Sequence, residues 1–306
     1  MTSSLRTSNL TRIYGTVHAL DGVDLDIPEG GIYGLVGPNG SGKTTALEIL
    51  TGLRRATGGS IEYGFAQDAI AYCPDVAEFE PWLNAIETLQ SSAGLVGKYP
   101  SREHILELLD RVGLASAATR QVGGFSRGMR SRMGLAAGLV TEPKLLIADE
   151  PAAALDPAGR REIIQLLAEL GKSITVLVSS HDLADVERIC DTIGVLAKGK
   201  LVYQGAISTL LERAAPALEV IVRPPADALL VGLQAAPWAH SVEEVEPGHF
   251  HIAIADAHRA EAGLPHLLAA SNVHLVEVRR AGTSLQDIFF ELTETGPAST
   301  SCRIAS

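Results

Sequence analysis

Residues 37–45 read Gly37-Pro38-Asn39-Gly40-Ser41-Gly42-Lys43-Thr44-Thr45. The glycines at 37 and 42, followed by lysine and threonine, fit the pattern G-x-x-x-x-G-K-[ST] of a phosphate-binding loop, or P-loop. The segment 31–36 before it is short and apolar, which is typical of a buried parallel strand. The segment 43–50 after it is rich in helix formers. The strand, loop and helix that this motif requires are therefore all predicted in place.

The loop predicts a site for a nucleoside triphosphate and Mg²⁺. Its glycines let the backbone N–H groups point inward, and the start of the helix adds partial positive charge. We expect residues 37–45 to contact the nucleotide, with Lys43 bridging the β- and γ-phosphates. We also expect the Thr44 hydroxyl to bind Mg²⁺ and Thr45 to add a phosphate contact. A chance glycine-rich turn is the alternative, and the flanking strand and helix argue against it.

Two carboxylates end a second apolar strand, which is predicted over 144–149. Asp149 fits the Walker B position, where a carboxylate holds Mg²⁺. Glu150 is placed to polarise an attacking water as general base. His181 follows the strand 173–179, near the nucleotide edge of a parallel sheet, from which it can reach a γ-phosphate. Each residue has a structural alternative when taken alone, but beside a P-loop the three predict a catalytic site.

Composition limits the class of protein. A length of 306 residues predicts about two domains. The net charge of −11 argues weakly against a nucleic-acid partner. Cys73, Cys190 and Cys302 are far apart, so we expect neither a disulfide framework nor a zinc site. No segment reads as a signal peptide or a membrane span, so any membrane role is expected to run through a partner.

Periodicity along the chain predicts its organisation. Residues 5–27 read as strands, with turns at Tyr14-Gly15 and Asp21-Gly22. A helical insert is predicted within 82–139, and strands alternating with helices over 144–203 predict a sheet with a parallel core. After about residue 214 we expect a small α+β domain, with strands at 218–222, 250–254 and 273–278. The tail 296–306 is expected to be disordered.

A five-residue segment relates these motifs to a known family. Residues 125–129, Phe-Ser-Arg-Gly-Met, open a helix after two glycines and resemble the ABC signature Leu-Ser-Gly-Gly-Gln. Ser126 and Gly128 match it, and the departures at the other positions are similar to those of the drug- and antibiotic-exporter branch. From about residue 5 to about residue 213, the chain resembles the ATP-binding subunit of an ABC transporter.

The resemblance implies a fold and a division into domains. The fold is an α/β P-loop NTPase, with a RecA-like core, an antiparallel β subdomain and a helical signature subdomain at about 76–139. The cassette is expected over 1–214. An accessory or dimerisation domain of α+β type is expected over 215–295, closed by the segment 284–289, and it resembles the extension of drug-exporter ATPases.

The resemblance also implies roles for further residues. Tyr14 resembles the aromatic residue that stacks on adenine, although a structural tyrosine is the alternative. Residues 154–156 resemble the D-loop, and His181 resembles the switch histidine. The Q-loop position holds Asp75, whose short side chain leaves two alternatives open: direct contact with the nucleotide site, or action through the partner interface.

The implied mechanism needs partners. Two copies of the chain would sandwich two ATP molecules, each bound by the P-loop of one copy and by Ser126 and Gly128 of the other. Closure and opening of this homodimer would drive an integral-membrane permease that docks near residues 75–100, on the cytoplasmic face of the membrane. We expect an exporter, with antibiotic resistance as a typical role, and no nucleic-acid partner.

Alternatives to this function come from other classes of protein. A non-transport ABC ATPase acting in regulation, on nucleic acid or on the ribosome is one, but the chain carries a single cassette and no long coiled coil. A module that holds ATP without hydrolysing it is another, and the pair Asp149 and Glu150 argues against it. His249 and His251 share one strand face and invite a metal site, yet we favour exposed strand residues because metal sites need three or more converging ligands.

Overall fold

The computed structural model describes residues 3–153, 155–212, 217–281, 288–290 and 292. The chain divides into two compact units, the first built on Met1–Ile207 and the second on Ser208–Glu294. Every residue predicted to bind nucleotide or metal lies in the first unit.

The secondary structure alternates between strands and helices through most of the chain. Up to the third helix the elements are β1 (Ser3–Tyr14), β2 (Val17–Val23), β3 (Asp26–Pro28), β4 (Ile32–Val36), α1 (Lys43–Leu50), β5 (Gly58–Tyr63), β6 (Ile70–Cys73), α2 (Ala85–Leu95) and α3 (Arg102–Arg111). Next come α4 (Arg127–Leu139), β7 (Leu145–Asp149), α5 (Pro157–Leu170), β8 (Thr175–Ser180), α6 (Leu183–Ile189), β9 (Thr192–Ala197), β10 (Lys200–Ala206) and α7 (Ile207–Glu212). The last elements are β11 (Ala217–Arg223), α8 (Asp227–Gln234), β12 (Ala239–Glu246), β13 (His249–Ile254), α9 (Ala257–Ala270) and β14 (His274–Ala281).

A six-stranded sheet forms the centre of the first unit, in the order β10-β9-β4-β8-β7-β6. Its strands pair in parallel except for β10, which runs antiparallel to β9 at one edge. Strands β4 and β7 are buried along their whole length, which explains their nearly unbroken apolar sequences. Because β8 lies between β4 and β7, the segments that follow these three strands emerge side by side at the carboxyl edge of the sheet.

An antiparallel sheet forms from β2, β1 and β3, with β5 added to β1. Its leucines share one hydrophobic cluster with the central sheet and with helix α1. The cluster includes Leu5 and Leu20 of the antiparallel sheet, Leu35 and Leu145 of the central sheet, and Leu47 of α1. The helix that begins at the predicted P-loop is therefore fixed by the same core as both sheets.

The turn predicted at Asp21-Gly22 is wrong, because β2 runs through both residues. The register of β1 with β2 shifts there, since Leu10 pairs with Val23 but Arg12 pairs with Leu20. Gly22 absorbs the extra residue of this bulge with a φ angle of 70°. Glycine marks bulges as well as turns, so the local sequence did not distinguish the two.

The predicted helical segment contains α2, α3 and α4. Helix α2 packs against α3 and α4, and α4 also packs against β6 and β7. Asn84 caps α2 by accepting the Glu87 N–H, and the Glu87 carboxylate accepts the Asn84 N–H in turn, which makes a capping box. The cap starts this helix at Ala85, inside the helical insert that was predicted within 82–139.

The second unit is an antiparallel sheet in the order β12-β13-β11-β14. Val220 and Phe250 of the sheet share one core with Leu229 of α8 and Leu264 of α9. The three strands predicted for this region are confirmed as β11, β13 and β14. Strand β12 was not predicted because its glutamate-rich sequence has low strand propensity. It forms a strand through its antiparallel pairing with β13.

Three parts of the predictions lie outside the described residues. They are Ala154 of the D-loop, residues 284–287 of the closing segment, and the tail 296–306.

The core of the second unit can be tested by truncating Leu229, which is fully buried. We expect Leu229→Ala to lower the free energy of unfolding of this unit by about 3 kcal/mol, because it removes buried methyl groups and leaves a cavity. Trp238 is 4% exposed in the same core, so its fluorescence in a urea titration reports the transition. Val231→Ala on the same helix is the control: Val231 is 65% exposed, so we expect a change within about 0.5 kcal/mol. Equal effects of the two substitutions would contradict this core.

Candidate functional site

The loop between β4 and α1 has no room for side chains at two of its glycines. A Cβ on Gly37 would lie 2.3 Å from Leu196 O, and a Cβ on Gly42 would lie 2.4 Å from Ala19 O. Gly40 and Gly42 also have φ angles of 79° and 109°, which side-chain-bearing residues rarely adopt. The result is a concave loop at the N-terminus of α1, where backbone amides favour an anion.

Lys43 directs its ammonium group into this loop. Its Nζ donates to Gly37 O at 2.8 Å and to Pro38 O at 3.4 Å. The same atom lies 3.6 Å from Glu150 Oε1, and the side chain is only 7% exposed. A phosphate entering the loop would therefore meet a positive charge that is shielded from water, where electrostatic attraction is strongest.

Buried polar atoms beside the loop fit a nucleotide and a metal ion. Within the residues that the structure describes, Ser41 Oγ and Asp75 Oδ1 are buried without a hydrogen-bond partner. Such atoms are nearly always satisfied in native proteins, so a bound ligand is the expected partner. The hydroxyl of Thr44 and the carboxylate of Asp149 supply the oxygen ligands that Mg²⁺ prefers.

Asp149 is fixed by the neighbouring strand. It ends β7, pairs in register with Ser179 of β8, and is 2% exposed. Ser179 Oγ donates to Asp149 Oδ1 and accepts the backbone N–H of Glu150 at 2.9 Å. One fully buried hydroxyl thus positions both carboxylate residues that were predicted at this strand end.

Glu150 lies between the two other predicted catalytic residues, Lys43 and His181. Its Oε2 lies 2.8 Å from His181 Nδ1, while its Oε1 faces Lys43. Its φ angle of 48° is in the left-handed region, which is uncommon for a residue other than glycine and costs about 1–3 kcal/mol. The structure therefore holds the Glu150 carboxylate between the ammonium group and the imidazole at a cost in backbone strain.

Most of the predicted site residues line one open cleft of about 310 Å³. Its lining residues come from the P-loop and from the ends of two strands: Asn39, Gly40, Gly42, Lys43, Thr44, Thr45, Asp75, Asp149 and Glu150, with Ala19 of β2. Ala19 was not predicted, because a small apolar residue in a strand carries no sequence signal of ligand contact.

Asp75 follows β6 and is among the residues that line the cleft. Its Oδ1 also lies 3.7 Å from Arg127 Nη2, a residue of the signature segment. The two side chains are 41% and 66% exposed, so this ion pair is worth little in stability. The position of Asp75 is compatible with direct contact to a ligand in the cleft.

Tyr14 ends β1 but does not line the cleft. Its ring centroid lies 4.5 Å from Arg12 Cζ and 5.6 Å from Arg54 Cζ. Contacts of this kind are attractive cation–π interactions. The ring is 39% exposed, and its stacking on adenine stays a prediction.

The signature residues also lie outside the cleft. Ser126 caps α4 and accepts the Met129 N–H at 3.2 Å. A Cβ on Gly128 would lie 2.9 Å from Leu155 Cδ2, the end of a flexible side chain, so the D-loop residue Leu155 packs close to the start of α4. Ser126 and Gly128 are not among the residues that line the cleft of their own chain. Their role in the nucleotide site stays a prediction.

Besides Ala19, sequence reasoning missed Ser179. The signal available was a polar pair, Ser179-Ser180, at the end of an otherwise apolar strand. It pointed to no partner, because the pairing of β8 with β7 is a property of the sheet order and not of the local sequence.

The two histidines of β13 share one face, as predicted, but they are not exposed. His249 is 25% exposed because its Nε2 contacts Glu219 of the adjacent strand β11. Hydrogen bonds from Arg279 and His249 lower the pKa of that carboxyl group to about 2. Within the described residues, no group of three or more metal-binding side chains is found.

Comparisons with known proteins agree with this geometry. Residues 20–153 match the family described as ABC transporter. The uncharacterized ABC transporter ATP-binding protein YxlF of Bacillus subtilis (strain 168) is 32% identical over 294 residues, which cover 94% of this chain and 99% of that protein. The bacitracin transport ATP-binding protein BcrA of Bacillus licheniformis is 31% identical over 309 residues, 97% of this chain and 99% of the relative. A solved dimeric structure of the ATP-binding cassette MJ0796, in a post-hydrolysis state bound to ADP and Pi, matches with a TM-score of 0.60 and 26% identity over 66% of this chain and 98% of that one.

The chain belongs to the ABC transporter family, as one of its ATP-binding proteins. It is an ATP-hydrolysing subunit that energises membrane transport, and the predicted P-loop NTPase fold is confirmed by the solved cassettes. The alternative of a non-transport ABC ATPase is not favoured, because the relatives are named as transport proteins.

Removing the Ser179 hydroxyl tests the link between β7 and β8. Ser179→Ala leaves Asp149 and the Glu150 N–H without their shared partner, a change worth about 1–3 kcal/mol. We expect kcat for ATP hydrolysis to fall about 5- to 150-fold, since 1.36 kcal/mol is tenfold in rate. Steady-state phosphate release measures it. Ser173→Ala is the control, because its exposed hydroxyl bonds only to Leu170 O before the strand begins. A kcat within about twofold of the unsubstituted protein would exclude this role for Ser179.

Proposed function

We propose that Glu150 is the general base for hydrolysis of ATP bound by the P-loop, with Lys43 and His181 as the other catalytic residues. The observation that carries the proposal is the Glu150 carboxylate, which lies between Lys43 Nζ and His181 Nδ1 at the mouth of the loop. A carboxylate there can accept a proton from a water that attacks the γ-phosphate. His181 orients that carboxylate and the terminal phosphate, and Lys43 neutralises charge on the β- and γ-phosphates.

The residues of the cleft also support a Mg²⁺ site. The Thr44 hydroxyl and the Asp149 carboxylate would hold the ion, which when bound neutralises charge on the phosphate oxygens. The Ser179 hydroxyl donates a hydrogen bond to Asp149 and accepts the Glu150 N–H, which fixes the position of the Asp149 carboxylate. Asp75 faces the same cleft, and its Oδ1, which makes no hydrogen bond within the described residues, supports a contact with the ligand.

A second copy of the chain completes the site in this proposal. Ser126 and Gly128 lie outside the cleft of their own chain, although their helix start suits an anion. The MJ0796 cassette is dimeric with ADP and Pi, which supports the same assembly here. We propose that the homodimer closes on two ATP molecules and opens when the γ-phosphate contacts are lost. Tyr14 would stack on adenine.

The permease is proposed to dock on the first part of the helical segment. Large apolar side chains are exposed there, which is typical of a surface that binds another protein. They are Val76, Trp82, Leu95, Val96 and Tyr99, of which Leu95 and Tyr99 are 87% and 88% exposed. This stretch matches the docking region expected near residues 75–100.

Export is the proposed direction of transport, with antibiotic resistance as a typical role. The signature segment departs from the common form as exporter-branch proteins do, and a bacitracin transport protein matches along 97% of the chain. None of the helices in the described ranges is long and apolar enough to cross a membrane. We therefore propose that the chain acts at the cytoplasmic face of the membrane through its permease, and that the permease selects the cargo.

The second unit is proposed to serve dimer contact or regulation. The proposed domain limits are 1–214 for the cassette and 215–295 for this accessory domain. The net charge of −11 argues weakly against a nucleic-acid partner.

The general base is tested by Glu150→Gln, which keeps the shape of the side chain. We expect ATP binding to persist and kcat to fall at least about 100-fold, because an amide cannot accept the proton. Phosphate release and a fluorescent ATP analogue measure the two properties. Glu169→Gln, on the exposed side of α5, is the control and should leave both unchanged. An ATPase rate in Glu150→Gln equal to that of the unsubstituted protein would rule out Glu150 as the general base.

Nucleotide binding by the loop is tested by Lys43→Ala. Hydrogen bonds to charged groups are worth about 1.5–3 kcal/mol, so we expect the Kd for ATP to rise roughly 10–100-fold. Isothermal titration calorimetry with Mg-ATP measures this change. Lys144→Ala is a matched control, since Lys144 is exposed and precedes β7 at the far edge of the sheet. Unchanged affinity in Lys43→Ala would contradict the loop as the binding site.

A further inference from the structure

A second charged cluster lies behind His181, between helices α5 and α6. Arg160 of α5 donates through Nε to Asp185 Oδ2 at 2.8 Å, and its Nη2 lies 2.7 Å from the same oxygen. Nη2 also contacts Asp182 Oδ2. The Arg160 side chain is 33% exposed, so the guanidinium is held at a partly buried site, where such pairs are geometrically specific.

Asp182 connects this cluster to the catalytic histidine. It follows His181 directly, and its Oδ1 accepts the Ala184 N–H at 3.0 Å as the cap of α6. Its own N–H donates to Ser180 Oγ at 2.9 Å. The segment that carries His181 is therefore short and is fixed at its far end by the first turn of α6.

The balance of charge in this turn depends on Arg160. Asp182 and Asp185 are three positions apart on a helical turn, where like charges repel. Both line a small cavity of about 60 Å³ together with Glu150, His181 and Arg160. Among the residues that line this cavity, arginine supplies the permanent positive charge.

The pKa shifts of Arg160 and Asp182 agree with a tight pairing. The hydrogen bond to Asp185 raises the pKa of Arg160 above its ordinary value. Burial would raise the pKa of Asp182, but the hydrogen bond and charge of Arg160 lower it overall.

We propose that Arg160 is a positioning residue for ATP hydrolysis: it holds the Asp182 turn so that His181 stays against Glu150. The His181 side chain is 53% exposed, and among the described residues its 2.8 Å contact through Nδ1 is with Glu150, so its place depends on the segment that carries it. Without the guanidinium, repulsion between Asp182 and Asp185 shifts the turn and draws His181 away from Glu150. This inference rests on the proposed roles of Glu150 and His181.

The proposal is tested by Arg160→Met, which keeps the length of the side chain and removes its charge. We expect kcat for ATP hydrolysis to fall at least about tenfold, because displacement of a catalytic group by about 1 Å can cost 10²-fold. KM and the Kd for a fluorescent ATP analogue should stay within about twofold, since the P-loop contacts are untouched. Arg160→Lys should recover part of kcat. Arg161→Met is the matched control, since Arg161 is exposed on the same helix, and it should leave kcat unchanged.

A second variant separates positioning from general structural damage. Asp185→Asn combined with Arg160→Met removes one of the two repelling carboxylates, so we expect it to recover part of the lost kcat. It also covers the case in which Arg160→Met does not fold. Wild-type kcat in Arg160→Met would overturn the proposal, and where that variant does not fold, so would a complete loss of kcat in both Arg160→Lys and the double variant. So would a loss of kcat that neither Arg160→Lys nor the double variant reverses.

Glu150→Gln, assayed in parallel, distinguishes failure of the proposed general base from failure of the proposed role of Arg160. Full activity in Glu150→Gln would overturn the proposed general base itself. An inactive Glu150→Gln beside a fully active Arg160→Met would overturn the role of Arg160 alone.

Discussion

The register of β8 between β4 and β7 is the constraint on which the site depends. Val36 pairs with Ser180, and Ser179 pairs with Asp149, so three strand ends are aligned at one edge of the sheet. A shift of one residue in β8 would turn the Ser179 hydroxyl to the other face of the sheet and break its contacts with both carboxylate residues. The burial of all three strands in one apolar core fixes this register strongly, because a slip would also move apolar side chains out of contact.

Charge compensation then decides which side chains can occupy this edge. An isolated buried charge costs several kcal/mol, whereas a paired one is tolerated. Lys43 is nearly buried and faces Glu150, which in turn contacts His181. Behind them Arg160 faces two aspartates. The two clusters share the segment 180–182, so the histidine that contacts Glu150 is carried by a turn whose conformation depends on a second ion pair.

Local features of the site could be predicted because their physics is local. The P-loop needs glycines, a lysine and a helix start in fixed order, all within 37–45, and the structure shows the strained backbone that those glycines allow. Asp149 and Glu150 were recognisable because an apolar strand ends at them. Ser179 and Arg160 were not, since each acts on a residue that is distant in sequence. The bulge at Gly22 and the strand β12 were missed for the same reason: both depend on a pairing partner.

The sequence by itself determined the fold class, the family and the glycine-rich loop between β4 and α1, because each follows from residue types at short fixed spacings. The tertiary structure alone decided that Glu150 lies between Lys43 and His181, that Ser179 fixes both carboxylate residues, and that Arg160 holds the turn behind the histidine. These contacts arise from the order of strands in the sheet and from the packing of α5 and α6 against it. Burial and pairing of distant segments set that order, and no short stretch of the chain encodes it.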